Sequence, residues 1–294
     1  MVMSKLVAFF HLKLFTMPPK LLNCPSTGVV LDPGLSNQRR DDFLNFKLKA
    51  FKDCTGAHKC HDGIPVDLDS FLAMLQEFAI KDNPKKYHYN AMRVYFGAYP
   101  RTGSGGHVPS GKNGFPTLLF VPTTGDDYQN PTDGTDDVSK FYYIDENGVC
   151  RPDTDHNAHI WIGNFQRDYP PILRADGNAH LPTTNFNDTL ALLYAMGSIG
   201  GIIGGDPGLI DLILCGRLDP DNPIIDLEIK FACFIKGEPN SRFDYPYQTT
   251  LIFGLIQADD SELYTFGSGN YVTGLVDADT GIPCPPNGSC PTPP

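Results

Sequence analysis

The strongest hydrophobic pattern lies toward the C-terminal end of the chain. Ile225, Leu227, Ile229, Phe231, Cys233 and Ile235 take every second position, and Asp226, Glu228, Lys230 and Lys236 fall between them. Side chains alternate across a strand, so this run predicts a strand with buried odd positions and charged even positions in water. Gly237-Glu238-Pro239-Asn240 then turns the chain. Residues 249–257, 263–266 and 271–276 read as further strands joined by short turns, which together predict an antiparallel meander.

A second periodicity marks a helix. Leu68, Phe71, Leu72, Leu75, Phe78 and Ala79 form one stripe at helical spacing, predicting a helix over 69–80 capped by Asp67 or Asp69. Residues 40–52 fit a helix or a strand. Segments 92–99 and 117–121 are β-branched and aromatic, predicting strands that end at Pro100 and Pro122, with a Gly- and Pro-rich linker between them. Residues 140–144 read as a strand running into the turn signal Asn147-Gly148. Ile160-Trp161-Ile162 points to a strand over 159–165. Asn187 is placed to cap a helix over 188–198. After a glycine-rich stretch, Asp206-Pro207 opens a second helix that Gly216 closes. The apolar run from Leu190 stops at Asp206, too short for a membrane span.

Composition sharpens this picture. Of 294 residues, 29 are Asp and only 5 are Glu, with 29 glycines and 26 prolines. Asp, Gly and Pro favour caps and turns over helix interiors. The fold expected is α+β: few short helices, long Gly/Pro/Asp-rich loops and an antiparallel sheet in the C-terminal third. A helical region over 1–85 and a mixed to antiparallel β region over 86–294 form two units or one continuous domain. A hydrophobic fraction of 41% excludes a disordered chain. A net charge of −11 argues against binding a nucleic-acid backbone, which needs clustered Lys and Arg.

The ends and the cysteines bear on compartment. Lys5 and the apolar residues 6–10 hint at a targeting segment, but His11 and Lys13 interrupt the run and no small-residue cleavage site follows. Residues 1–16 read as an N-terminal extension, with Met17 an alternative start. Cys215 and Cys233 sit in apolar runs and are expected as buried thiols. Cys284 and Cys290 bracket a turn sequence and are expected close enough to pair. Without a convincing secretory signal the expected compartment is the cytoplasm. The matches to the glycosylation pattern at Asn187 and Asn287 are then fortuitous.

Arg93-Val-Tyr-Phe-Gly-Ala-Tyr-Pro100, followed by Thr117-Leu-Leu-Phe-Val-Pro-Thr123, resembles a pattern in uncharacterised bacterial proteins. Those carry an R-x-Y-F-G strand, a glycine-bearing linker, a second apolar strand and a Cys/Pro-rich C-terminus. Cys284-Pro-Pro-Asn-Gly-Ser-Cys290 is similar to that end. The resemblance implies no particular activity or functional residue.

Two clusters carry candidate chemistry. Asp153, Asp155, His156 and His159 combine carboxylates and imidazoles, a donor set for a divalent transition metal. On a strand, however, His156 and His159 would face opposite sides. Cys54, His58, Cys60 and His61 are competent zinc ligands, but no second Cys or His pair follows at the usual spacing. Gly106 to Lys112 nearly spells a phosphate-binding loop. Asn113 replaces the metal-binding hydroxyl, and Gly114-Phe115-Pro116 cannot open the required helix, which excludes nucleotide binding there. No nucleophile elbow is present. The expected function is therefore that of a soluble structural or protein-interaction protein, self-association included, with no cofactor beyond a candidate divalent metal. Its partner is a protein or a second copy, with no nucleic acid and no membrane span. The alternative is a metal-dependent hydrolase using Asp153, Asp155, His156 and His159.

Overall fold

The computed structural model describes residues 33–44, 63–101, 108, 112–129, 134–168, 191–201, 203, 207–233, 249–259, 262–265 and 282–283. In chain order these form helix α1 (Pro33–Asp42), strand β1 (Gly63–Val66), helix α2 (Leu68–Phe78), β2 (Lys81–Asn83), β3 (Lys86–Tyr87), β4 (Ala91–Ala98), β5 (Pro116–Thr124) and β6 (Thr135–Asp136). A 3-10 turn over Val138–Lys140 leads to β7 (Tyr142–Ile144), β8 (Cys150–Pro152), helix α3 (Ala158–Asp168), β9 (Ala191–Ala195), α4 (Met196–Gly200) and α5 (Leu209–Arg217). Strands β10 (Ile224–Cys233), β11 (Thr249–Gln257), β12 (Glu262–Thr265) and β13 (Ile282–Pro283) complete the set.

The strands build an α+β fold from two antiparallel sheets and a separate hairpin. The larger sheet runs β13-β9-β4-β5-β7-β8, with β6 also on β5; the smaller runs β1-β10-β11-β12. Their inner faces meet in one core. Phe96 of β4 lies 6.1 Å from Phe231 of β10 between ring centroids, and Tyr194 of β9 lies 5.7 Å from Phe253 of β11. Phe71 of α2 touches both Phe120 and Phe253. Alternation along β4 sends Met92, Val94, Phe96 and Ala98 to this core, while Tyr95 and Tyr99 join a second core under α3.

Helix α2 follows its predicted stripe. Asp67 accepts the Ser70 backbone N–H at 2.8 Å, and Phe71, Leu75 and Phe78 are completely buried. The region before residue 86 has no core of its own among the described residues, because β1 pairs with β10, Ile64 opposite Ile229. The hairpin at Asn147-Gly148 forms as expected. Gly148 has φ +81°, and a Cβ there would lie 2.8 Å from the Pro65 carbonyl, so glycine is required twice over.

Several expectations need correction. Residues 158–168 are helical, not a strand: Ala158, Trp161, Ile162 and Phe165 are all at most 3% exposed, a helical i, i+3, i+4, i+7 set. Among the described residues β9 pairs with β4 as far as Tyr95, and Asn164 of α3 donates to the Ala98 carbonyl at 3.1 Å. The helix expected over 188–198 is strand β9 followed by the short α4. Its Ala-Leu-Leu-Tyr-Ala residues fill the slot beside β4, where packing outweighs their helix propensity. In β10, Leu227, Ile229, Phe231 and Cys233 are buried as expected, but a register shift between Ile224 and Asp226 turns Ile224 inward and leaves Ile225 56% exposed. On the even face Lys230 is buried opposite Ile252, with its ammonium 3.4 Å from the Glu228 carboxylate, so the outer face is not uniformly wet. Finally, Cys215 is buried but disulfide-bonded; apolar neighbours alone do not separate a thiol from a half-cystine.

Strand β5 also runs through Pro122 to Thr124, because the Pro122 carbonyl still accepts the Asp137 N–H at 3.0 Å. Helix α5 starts two residues after Pro207, with the Asp211 carboxylate accepting the Gly208 N–H. The segment 271–276, the turn at 237–240, the N-terminal extension and the Cys284/Cys290 pair lie outside the described residues. Among those described, no helix is long and apolar enough to cross a membrane.

Candidate functional site

A hollow of about 280 Å³ opens where the 3-10 turn meets the start of α3. Val138, Ser139, Phe141, Asp153, His156, Ala158 and His159 line it. Three of the four residues in the first candidate cluster therefore share one hollow, while Asp155 is exposed and does not line it. The turn before α3 and the first turn of that helix bring them together, not the expected strand.

Asp153 is held tightly. One carboxylate oxygen accepts the Asn157 N–H at 3.0 Å and the other accepts the Ala158 N–H at 2.7 Å. Both oxygens thus cap the first turn of α3, where unpaired N–H groups and the helix dipole favour a negative charge. His156 sits between them in sequence with φ +56°, the one positive φ at a non-glycine residue among those described. His156 and His159 are exposed at the rim. Among the described residues, no group of three or more His, Cys, Asp or Glu side chains is placed to hold a metal ion. The second cluster, Cys54, His58, Cys60 and His61, lies outside the described residues.

The 3-10 turn that contributes Val138 and Ser139 to the lining is braced by charged residues. Asp137 accepts the Ser139 hydroxyl at 2.6 Å and the Tyr89 hydroxyl at 2.7 Å. Burial works to raise the Asp137 carboxyl, but the hydrogen bonds from Ser139 and Tyr89 and the nearby Lys140 charge outweigh it and hold it below its usual value. Glu77 of α2 behaves in the same way: burial is overcome by Lys140, with which it forms an ion pair, and by the Tyr142 hydroxyl at 2.5 Å.

Residue types alone do not single out the charged group that adjoins Asp137 through Asp136. Arg93 of β4 is completely buried and ion-paired with Asp136 of β6, and Tyr95 donates to the other Asp136 oxygen at 2.6 Å. Arg93 also donates to the Gly134 carbonyl at 3.2 Å. Burial raises the Asp136 carboxyl, and the Arg93 charge and the two hydrogen bonds bring only part of it back. A signal was present: an arginine inside the all-buried strand 91–98 requires an acidic partner. The network pins β6 to the large sheet and sets the position of the turn above it.

A smaller hollow of about 80 Å³ lies between the sheets, lined by Gly63, Tyr99, Lys112, Phe115 and Glu146 among others. Lys112, from the near phosphate-binding loop, places its ammonium 5.4 Å from the centre of the Phe115 ring. After Lys112 the chain runs into β5 and not into a helix. The space suits a few water molecules, not a nucleotide.

Comparison with protein-family models, with curated proteins and with solved structures finds no match for this chain.

Proposed function

We propose that the chain is a structural or interaction protein that works through its contact surfaces, self-association included. The observation that carries this reading is the commitment of Asp153: the carboxylate in the larger hollow spends both oxygens on the α3 cap. Val138, Phe141 and Ala158 make much of the remaining wall apolar, a lining suited to recognition by contact. The buried charges nearby are likewise consumed within the fold. The Cys215 disulfide favours an oxidising compartment over the cytoplasm expected from the sequence.

The alternative hydrolase would need Asp153 to leave its cap and Asp155 to swing into the hollow. Metal analysis of protein purified without an affinity tag separates the two readings. Sub-stoichiometric metal, unchanged in the H156A/H159A variant, is the expected result. One tightly held transition metal per chain, lost in that variant, would establish the alternative.

A further inference from the structure

Four large apolar side chains are exposed among the described residues: Ile80, Val138, Leu218 and Ile225. Three of them belong to two small patches of opposite charge. Ile80 stands at the base of the β2–β3 hairpin, where every residue from Ile80 to Lys86 is exposed. The hairpin belongs to neither sheet. Lys81, Lys85 and Lys86 outnumber its one acid, Asp82, which is paired with His88 at 2.8 Å. Leu218 opens the connection between α5 and β10, which carries Asp219 and Asp221 and no lysine or arginine, and Ile225 and Asp226 follow it at the start of β10. The preceding Arg217 is engaged with Asp69 at 2.5 Å and does not neutralise it.

Both patches are held in shape. The His88 N–H donates to the Ile80 carbonyl at 2.8 Å, closing the hairpin base, and the Tyr87 hydroxyl donates to the Gly201 carbonyl at 2.8 Å. The Asp219 carboxylate accepts the Asp221 and Asn222 N–H groups, fixing the acidic connection. The backbone of each patch is therefore already ordered before it binds.

Their positions prevent them from meeting within one chain. Helices α2 and α5 run antiparallel: Arg217, at the end of α5, pairs with Asp69 at the start of α2. Gly208, at the head of α5, sits against Gly201, and the neighbouring Gly200 lies against Ala79 at the end of α2. The hairpin leaves one end of this pair and the acidic connection leaves the other, separated by the length of α2, about 16 Å.

We propose that the basic hairpin 80–86 of one copy docks on the acidic segment 218–226 of a second copy, in a head-to-tail contact. The inference rests on the interaction reading and supplies its partner. A second copy is favoured because it carries a patch matched in both charge and apolar content, in a chain whose net charge is −11. Two different patches in contact make a heterologous interface, which closes into a ring or extends as a filament. Patches this small give a weak contact that salt opposes.

Sedimentation velocity over a range of concentration and salt tests this on the full chain. The expected result is reversible association at low ionic strength that weakens about tenfold or more toward 1 M salt, where the screening length falls to about 3 Å. K85E/K86E and D221K/D226K alter exposed residues, and far-UV circular dichroism controls their folding. Each variant alone should be monomeric, while an equimolar mixture should associate, because each then offers the charge that the other lacks. Association unaffected by either variant, or a mixture that stays monomeric, would overturn the proposal and leave the interaction reading standing. A monomeric wild type that cosediments with phosphatidylserine vesicles, and loses this in K85E/K86E, would overturn it in favour of a membrane surface.

Discussion

Arg93 and Asp136 form an ion pair inside the protein, with side-chain exposures of 1% and 7%. Removing one partner strands the other's charge in a medium that solvates it poorly. R93M, which leaves the Asp136 carboxylate buried without its partner, should therefore lower stability by about 3–5 kcal/mol, whereas the double replacement R93M/D136L should cost much less than R93M and D136L together. Urea denaturation of the four proteins reads this directly. Additive losses would mean that the two side chains do not act as a pair.

Acid should destabilise the protein through its paired carboxylates. Glu77, Asp137 and Asp145 are all held below their ordinary values; at Asp145, burial is outweighed by Arg151 and the N–H groups of Val149 and Asn147. A carboxyl depressed in the folded state contributes stability above its unfolded value and loses it as pH falls through the folded one. Asp136, raised by burial, has the opposite sign and gives back stability on protonation. Asp42, raised by burial and by the neighbouring Asp41, acts in the same direction as Asp136; three groups still oppose two, so the urea midpoint should drop as pH falls below about 4. In E77Q the drop should be shallower. An identical profile in E77Q would show that the Lys140 and Tyr142 contacts do not persist in solution.

How much of this could be read from residues alone depends on whether the local pattern and the tertiary setting agree. Helix α2 and strands β4, β5, β10 and β11 were legible because the face each buries is written in its own periodicity. Segment 158–168 carried two patterns. The adjacent Ile160, Trp161 and Ile162 suggested a strand, while Ala158, Trp161, Ile162 and Phe165 fit a helix, and the Asp153 cap decided between them. Strand β9 was illegible because Leu and Ala adopt either state, and only a neighbour such as β4 makes it extended. The burial of Lys230 depends on what covers the second face of the sheet, which alternation does not record. At the site, residue types located Asp153, His156 and His159, but not that the aspartate would be consumed by a cap.

Cys150 should be chemically silent in the folded protein. It is 7% exposed beneath α2, its backbone N–H donates to the Ser70 hydroxyl at 3.0 Å, and burial pushes its thiol up to about 12. Since the thiolate is the reactive species, iodoacetamide at neutral pH should leave the Cys150 peptide unmodified until denaturant is added. Rapid native labelling, read by peptide mass spectrometry, would place that thiol at the surface.

The turn before α3 joins stability to the candidate surface. Asp153 satisfies two N–H groups of the helix, so D153A should cost about 1 kcal/mol, within the usual range of 0.5–2 for a lost cap. His156 is different: its backbone occupies the left-handed region at φ +56°, where a Cβ is a burden. Glycine removes that burden, so H156G should be neutral or stabilising by up to about 1 kcal/mol, whereas H156V should be clearly destabilising. The histidine would then occupy this position at the expense of stability, which is expected where a side chain is kept for contact at a surface hollow. The decisive comparison is urea denaturation of H156G against wild type. If glycine lowers stability by more than about 0.5 kcal/mol, the imidazole is holding the turn together, and its presence at the rim of the hollow needs no functional explanation.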